Sequence, residues 1–272
     1  MSNADPSTSK GKGILVLAVD SLGLAQPSKP AAHPSWFGLA MCTLENRGDL
    51  FLLTLTGDNE HRINPSMIDK IRTALHQVRT EAKAGSVLIT TAEGKFFSNG
   101  FDLAWAQAAG SGFRDRLHHM VESFRPVVAD LISLPLPTIA AVTGHAAAAG
   151  LMLAISHDYV LMRKDRGVLY MSELDIGMTF PDYFMVVMRS KFASPIALRN
   201  VVLQAAKLKP MEALKMGIID SVHESPKRHW RLLCASRRSW VLGSGMGTCI
   251  QRYVKLPSLR FAICLGWHTR KC

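Results

Sequence analysis

Two glycine-containing turns are the segments of this sequence whose residue types could support chemistry. The first turn, residues 97–103 (FSNGFDL), follows a predicted strand, and the second, residues 144–150 (GHAAAAG), precedes a predicted helix. Small residues let a ligand approach the backbone, and the first turn of a helix presents N–H groups that have no acceptor within the helix. Taken singly, each turn is also typical of ordinary tight packing.

Considered together, the two turns indicate one shared binding site for a negatively charged oxygen. If each turn directs a backbone N–H at the same point, the pair forms an oxyanion hole. Such a site stabilises the negative charge that a carbonyl oxygen acquires in a transition state. The pairing of the turns therefore predicts a site for chemistry beside a carbonyl group.

Strands and helices in alternation must position these turns. Asn64-Pro65 and Ser194-Pro195 each predict a helix start, because a capping side chain precedes a proline at the first helical position. Further helices are predicted over residues 116–133, 151–156 and 210–216, and strands over 49–56, 86–91, 137–142, 159–162, 168–171 and 218–222. Residues 92–100 are predicted to be a loop. This order predicts an α/β fold whose parallel strands are covered by helices.

Composition divides the chain into three parts. Residues 1–40 form a leader rich in Ser, Pro, Lys and Ala that we expect to be disordered, residues 41–227 form the folded body, and residues 228–272 form a tail of different character. The formal net charge is +11, and the last 44 residues contain eight Lys or Arg and no Asp or Glu. We interpret this basic tail, rich in Cys and Trp, as the product of intron read-through or a frameshift.

The sequence also excludes some classes of protein. No apolar run reaches the eighteen or so residues that a membrane span needs, and the N-terminal residues lack the pattern of a secretory signal. We therefore expect an intracellular protein without a membrane segment. The cysteine spacings match no paired zinc motif, so no metal site is predicted.

From about residue 41 to residue 224 the chain resembles the crotonase (enoyl-CoA hydratase/isomerase) superfamily. The matching segments are residues 95–103 (KFFSNGFDL), residues 137–145 (PTIAAVTGH) with the small residues up to Gly150, and His157-Asp158. Residues 171–177 (MSELDIG) and 180–184 (FPDYF) look most like the plant peroxisomal enoyl-CoA delta isomerases. The resemblance implies a crotonase-like ββα spiral fold, with parallel sheets packed by helices.

The same resemblance implies the roles of individual residues. The backbone N–H groups of Ser98 and Ala149 would bind the thioester oxygen of an acyl-CoA. The residues that would line the coenzyme A site are Arg62, Ile63, Ser98, Asn99, Gly100 and Phe101.

The acid–base residues implied by the resemblance separate two reactions. Hydratases of this family use two glutamates, but here the first position is Met152 and only the second, Glu173, is a carboxyl. One carboxylate suffices for an isomerase that moves the double bond of a 3-enoyl-CoA to the 2-position, a step in the β-oxidation of unsaturated fatty acids. We expect apolar neighbours to enclose Glu173 and raise its pKa towards the range useful for proton transfer. These neighbours are Met171, Leu174, Ile176, Met178 and Phe180.

Other functions stay open at this point. A crotonase-type hydratase or thioester hydrolase is one alternative, and a non-catalytic acyl-CoA-binding protein is another. The basic tail raises the separate hypothesis of a nucleic-acid or anionic-membrane contact, but it carries no recognisable RNA-binding or zinc module, so neither partner is expected.

Cofactor, assembly and location are also implied by the resemblance. No cofactor is expected, because coenzyme A is part of the substrate. Family members have C-terminal helices that cover the acyl site and contribute to trimer contacts. A homotrimer is therefore implied as one possibility, and the altered tail argues against it and against the cover. The plant relatives imply a peroxisomal location, whereas the last residues, Arg270-Lys271-Cys272, are not a Ser-Lys-Leu type of address, so the cytoplasm is the alternative.

Overall fold

The computed structural model describes residues 41–224, which correspond closely to the predicted folded body. The predictions made for the leader and for the basic tail lie outside the described residues. The strands are β1 (Cys42–Asn46), β2 (Leu50–Leu55), β3 (Val87–Ala92), β4 (Phe96–Ser98), β5 (Thr138–Val142), β6 (His145–Ala147), β7 (Tyr159–Arg163), β8 (Leu169–Tyr170) and β9 (Ser221–His223). The α-helices are α1 (Pro65–Glu81), α2 (Leu103–Gln107), α3 (Phe113–Ser133), α4 (Ala149–Ile155), α5 (Asp182–Lys191), α6 (Pro195–Val202) and α7 (Pro210–Lys215).

A six-stranded sheet forms the larger layer of the body. Its strand order is β1-β2-β3-β5-β7-β9, and every neighbouring pair is parallel except β1 with β2. The central strands consist mainly of apolar residues with a few Thr, and they are buried along almost their whole length, as expected for parallel strands covered on both faces. The predicted α/β class is therefore confirmed.

A second sheet of three short strands carries the two turns. Its order is β4-β6-β8, and both pairs are parallel. The first of these strands was predicted to be part of a loop, and this prediction is wrong. Strands of two or three residues are too short to show an alternation of apolar and polar side chains, so pairing rather than local pattern defines them.

Helix α1 begins where the sequence predicted. The Asn64 side chain accepts a hydrogen bond of 3.0 Å from the Met67 N–H, and Pro65 occupies the first helical position. Its apolar face, at helical spacing, is buried and includes Met67, Ile71 and Val78. The helix packs against α3, and its start fixes the chain immediately after residues 60–63.

Other element boundaries differ from the predictions. Helix α6 ends at Val202 rather than near Lys207, and α3 begins at Phe113 rather than Arg116. Strand β1 and helix α5 were not predicted, because β1 has a mixed polar sequence and the cap of α5, Pro181, gives no side-chain hydrogen bond. Within residues 41–224, no helix combines the length and apolar character needed to cross a membrane.

Candidate active site

The three short parallel strands bring the predicted catalytic groups to one edge. Ser98 ends β4, Ala147 ends β6 two residues before Ala149, and Tyr170 ends β8 three residues before Glu173. The carboxyl ends of parallel strands lie on the same side of a sheet, which is where open α/β sheets bind ligands. The chain therefore leaves all three strands at one edge of the small sheet, and Ala149 and Glu173 follow within three residues of that edge.

The two glycine-containing turns are in direct contact. A methyl group added to Gly100 would lie 3.0 Å from Ala147 O and 3.4 Å from Ala149 N. A methyl group added to Gly150 would lie only 2.3 Å from Ser98 O, a distance that no side chain can tolerate. The glycines thus let the backbones touch, and this contact brings the Ala149 amide beside the first turn.

Ala148 joins the small sheet to α4 in a strained conformation. Its φ of 48° and ψ of −122° lie in a region that residues other than glycine rarely adopt. The Ala148 N–H donates to Tyr170 O at 2.9 Å, and the Ala148 carbonyl accepts from the Met152 N–H at 3.0 Å. Ala149 then begins α4, so its N–H has no acceptor one turn earlier in the helix. The strain is stored next to a free helix terminus.

The hydrogen bonds around the first turn show which of its backbone amides already have acceptors and where the Ser98 amide points. The Asn99 N–H donates to Glu60 O and the Ala146 N–H donates to Val168 O, at 2.9 and 3.1 Å. Neither of these amides is then available for the bridge between Ser98 and Ala146. In a parallel ladder one residue of each pair makes both hydrogen bonds, so this pattern turns the Ser98 amide towards β6.

Phe101 differs from Ser98 in this respect. It pairs with Ile63 in an isolated parallel bridge, in which Ile63 makes both hydrogen bonds: its N–H to Gly100 O at 2.8 Å and its carbonyl from the Asp102 N–H at 3.0 Å. The Phe101 N–H therefore points away from Ile63. The hydrogen-bond pattern favours the Phe101 amide over the predicted Ser98 amide as the donor from the first turn.

Residues 60–63 lie alongside the first turn. Asn99 Nδ2 donates to Glu60 Oε2 at 2.9 Å, and the Arg62 guanidinium forms an ion pair with the same carboxylate. The hydrogen bond from Asn99, followed by the charge of Arg62, lowers the pKa of Glu60 despite some desolvation. Arg62 and Asn99, both predicted to bind coenzyme A, are therefore neighbours at a partly exposed rim.

Ile63, also predicted to line the coenzyme A site, occupies a different environment. Its side chain is buried in the main core, and its two backbone groups bond to Gly100 and Asp102. The structure assigns Ile63 to holding the first turn in place, and its contact with coenzyme A stays a prediction.

Glu173 is a buried carboxyl with an unmet hydrogen-bonding group. The residue is 8% exposed, and its Oε2 atom has no hydrogen-bond partner within residues 41–224. Desolvation raises the pKa of Glu173 from 4.5 to about 7, although the backbone N–H groups of Glu173 and Ser172 act in the opposite direction. A carboxyl with a pKa near neutrality can both take and return a proton.

The surroundings of Glu173 only partly match the expected apolar enclosure. Met171 is buried, and Met178 and Phe180 are half-buried, but Leu174 and Ile176 are 45% and 40% exposed. These two residues lie in a short 3₁₀ turn that starts just after Glu173, and the turn directs them outwards. The prediction that they enclose the carboxyl is therefore wrong for the described residues.

The remaining candidates have other environments. Met152, at the position of the first hydratase glutamate, is fully buried in α4. His157 bonds through Nδ1 to Leu153 O and through Nε2 to Thr90 Oγ1, at 2.9 and 2.8 Å, and its ring is fully enclosed. Among residues 41–224, no group of three or more His, Cys, Asp or Glu side chains could hold a metal ion.

Comparison with known proteins decides the family. The enoyl-CoA hydratase/isomerase family model matches residues 50–236, more than half of the chain. The chain belongs to this family. The resemblance predicted from the sequence is confirmed.

Curated relatives and solved structures agree with this assignment. The chain is 63% identical over 183 residues to Enoyl-CoA delta isomerase 2, peroxisomal, of Arabidopsis thaliana, an alignment that covers 66% of this chain and 76% of the relative. It is 56% identical over 187 residues to Enoyl-CoA delta isomerase 1, peroxisomal, of the same plant, with 68% and 76% covered.

The fold is similar to that of solved crotonase-family enzymes. A probable enoyl-CoA hydratase of Mycobacterium tuberculosis H37Rv superposes with a TM-score of 0.70 at 22% identity, covering 84% of this chain and 91% of that one. An enoyl-CoA hydratase of Bacillus halodurans gives a TM-score of 0.73 at 17% identity, covering 84% and 90%. The predicted crotonase-like fold is thus confirmed.

Proposed function

We propose that this chain is an enoyl-CoA delta isomerase that converts a 3-enoyl-CoA into the 2-enoyl-CoA, as required in the β-oxidation of unsaturated fatty acids. The observation that carries the proposal is Glu173, the one buried carboxyl of residues 41–224, with an oxygen that has no hydrogen-bond partner in that part of the chain. It follows the last strand of the small sheet, whose other two strands lead into the touching turns. The names of the Arabidopsis relatives support the same reaction.

The proposed mechanism is a proton shuttle by one carboxylate. Glu173 removes a proton from C2 of the 3-enoyl-CoA, and the electron pair of that C–H bond becomes part of a dienolate whose charge reaches the thioester oxygen. The same carboxyl, now protonated, returns a proton to C4, and the double bond comes to rest between C2 and C3. Atoms and electrons balance within the substrate, so this reaction calls for no added redox or metal cofactor.

We propose that two amides stabilise the dienolate oxygen. Ala149 is one donor, because its N–H begins a helix. Ser98 was the donor predicted from the sequence for the first turn, and the hydrogen-bond pattern supports Phe101 in its place. Removing one such donor costs about 10²- to 10³-fold in rate. Replacing the amide at residue 101 by an ester, which deletes the N–H, should cause this loss, and a larger loss at residue 98 would restore Ser98 as the donor.

Met152 supports isomerisation over hydration. Hydration needs a second acid–base group to activate water, and a buried thioether cannot take that role. We therefore propose that hydration of a 2-enoyl-CoA is at most a minor side reaction.

A spectroscopic assay with 3-hexenoyl-CoA tests the function directly. The intact chain should form the 2-enoyl ester, and Glu173→Gln should lower kcat by about 10²- to 10⁴-fold, the range of a general acid–base group, while the ester still binds. Met152→Leu, which keeps a buried apolar side chain at the position of the first hydratase glutamate, is the control and should keep most of the activity. Tight binding without turnover by the intact chain would favour a non-catalytic acyl-CoA-binding protein, and hydration or thioester hydrolysis would favour those activities.

Location is a separate proposal. The two Arabidopsis relatives are named peroxisomal, and we propose the peroxisome for this protein on that basis. Co-localisation of a fluorescent fusion of the full chain with a peroxisomal marker is the expected result, and a diffuse cytoplasmic signal would contradict it.

A further inference from the structure

We infer that His61 is a positioning residue that fixes the first turn, so that the turn's amide is directed at the reacting thioester. His61 does not touch the reacting atoms in this proposal. Its effect on catalysis rests on the proposed isomerase function, whereas its effect on the turn does not.

His61 has a conformation that requires an explanation. Its φ is 48°, in the left-handed region, where residues other than glycine are uncommon but His is among those enriched. The residue is 4% exposed, although histidine is usually only partly buried. A polar side chain held both buried and left-handed persists only where its surroundings demand it.

Two hydrogen bonds connect His61 to the two ends of β4. Nδ1 lies 3.0 Å from Phe96 O, and because a carbonyl can only accept, Nδ1 must be the protonated ring nitrogen. The His61 carbonyl accepts a hydrogen bond of 2.8 Å from Ser98 Oγ. The ring thus binds the first residue of this three-residue strand, and the backbone binds the last.

The second hydrogen bond continues into the turn. Ser98 Oγ, which donates to His61, also accepts from the Gly100 N–H at 3.3 Å. Gly100 has a φ of 79°, lies against Ala149 N, and directly precedes Phe101. His61, Ser98 Oγ and Gly100 therefore form a continuous connection that sets the orientation of the Phe101 amide.

The left-handed φ of His61 directs its ring to the first residue of β4 and its carbonyl to the last residue. On the C-terminal side of His61, the Ile63 N–H bonds to Gly100 O, and on the N-terminal side, Glu60 O accepts from the Asn99 N–H. A different φ at residue 61 would move one of these flanking contacts relative to the other. The conformation and the imidazole donor are therefore two separable contributions.

Two substitutions isolate the contribution of the ring donor, because both keep the left-handed conformation accessible. His61→Gly keeps the left-handed conformation accessible but removes the ring donor. His61→Asn tolerates the left-handed region and places an amide N–H near the position of Nδ1. Because a small misplacement of a catalytic group costs up to about 10²-fold, we expect His61→Gly to lower kcat for 3-hexenoyl-CoA by about 10- to 100-fold with KM little changed. His61→Asn should restore kcat to within about threefold of the natural chain, a difference of under 1 kcal/mol.

A matched control removes a second buried histidine. His157→Asn also deletes a buried imidazole, in this case one with two ring hydrogen bonds, but His157 lies at the opposite end of α4 from Ala149. The His157→Asn variant should have a lower melting temperature. At assay temperatures below that melting temperature, its kcat should equal that of the natural chain. If His61→Gly behaves like His157→Asn, with reduced stability and unchanged kcat, or if it raises KM alone, the inference is overturned.

Hydrogen–deuterium exchange tests the inference without relying on turnover. Peptides that cover residues 96–101 should exchange faster in His61→Gly than in the natural chain or in His61→Asn, and His157→Asn should leave them unchanged. Unaltered exchange in His61→Gly would refute the positioning role. A natural chain without isomerase activity would instead count against the proposed function, and the exchange result would still decide the role of His61.

Discussion

Two buried ionisable groups differ in how their hydrogen-bonding atoms are satisfied. His157 bonds to β3 of the large sheet, and Glu173 follows β8 of the small sheet. Both ring nitrogens of His157 are hydrogen-bonded, and its carbonyl accepts from Lys191 Nζ at 2.9 Å. Glu173 keeps one carboxylate oxygen buried without a partner in the described part of the chain. A satisfied buried group rigidifies a core, whereas an unsatisfied one costs stability and is a sign of function.

Burial moves the two pKa values in opposite directions. Desolvation lowers the pKa of His157 from 6.5 to about 4, and it raises the pKa of Glu173 from 4.5 to about 7. In both cases the neutral form is favoured. Only Glu173, however, gains a pKa at which both protonation states are populated near neutral pH. The difference teaches that burial alone does not mark a catalytic group, while burial with an unused oxygen does.

The largest effect is expected from a substitution that disrupts the contact between Gly150 and the Ser98 carbonyl. Gly150→Ala would place a methyl group 2.3 Å from Ser98 O, so the turns must separate. We expect a loss of about 3 kcal/mol or more in the free energy of unfolding, with loss of isomerase activity, measured by urea unfolding and the 3-hexenoyl-CoA assay. Gly112→Ala, whose methyl would meet only ordinary contact with Ala109, is the control. Full activity in Gly150→Ala would contradict the described contact.

Replacing the carboxyl should reveal the cost of burying Glu173. The folded protein holds the Glu173 proton more tightly than the unfolded chain, so stability is present below about pH 4.5 and falls by about 3 kcal/mol as the pH rises to about 7. Glu173→Gln should therefore be more stable than the natural chain at about pH 8 and similar at about pH 4.5. Unfolding curves across this range test the sign. Asp175→Asn, an exposed carboxyl two residues away, is the control, and an equal difference at both pH values would oppose the prediction.

The opposite pH dependence is expected for His157. Its folded pKa is depressed, so its contribution is present above pH 6.5 and is lost as the pH falls towards about 4. His157→Asn should lower stability by about 2 kcal/mol near neutral pH, because Thr90 loses its partner, and by less in acid. Exposed His76→Asn is the control for a change of charge. A constant difference between pH 7 and pH 4 would show that His157 does not titrate as described.

The smallest effect concerns the strain beside the second turn. Ala148→Gly should relieve the φ of 48°, and the greater freedom of glycine in the unfolded chain offsets part of the gain. We expect a rise of about 0.5–1 kcal/mol in the free energy of unfolding, with kcat nearly unchanged. Thermal melts with the isomerase assay measure both quantities. The Ala148 methyl lies close to Gly100. Reduced stability of Ala148→Gly would mean that packing of this methyl stabilises the fold by more than the strained φ destabilises it.

The sequence allowed much of the large sheet to be predicted. The central strands are apolar runs of five or six residues bounded by turn residues, and Asn64-Pro65 and Ser194-Pro195 are caps that act locally. Such elements are determined by nearby residues, so their positions can be predicted from the local sequence without knowledge of the fold. The strand order and the pairing across the sheet depend on contacts distant in the sequence, so they were not predicted; the family resemblance gave only the type of fold.

The site was predicted less completely for the same reason. The two turns were found from their residue types, and the roles of Glu173 and Ala149 came from the resemblance. The selection between the Ser98 and Phe101 amides depends on which residue makes both bonds of a bridge. His61 was missed because its importance lies in its left-handed conformation and its contacts with β4, and an isolated histidine carries no local signal for either.

Ala149 and Gly150 adjoin each other in the chain but obey different rules of substitution. The first contributes its amide and a small methyl group that is fully buried, so a small residue other than glycine can occupy it. The second is restricted by the neighbouring strand to a hydrogen atom in place of a side chain. A search pattern demanding glycine at both places would overlook this molecule, while one that is strict only at the second would retain it.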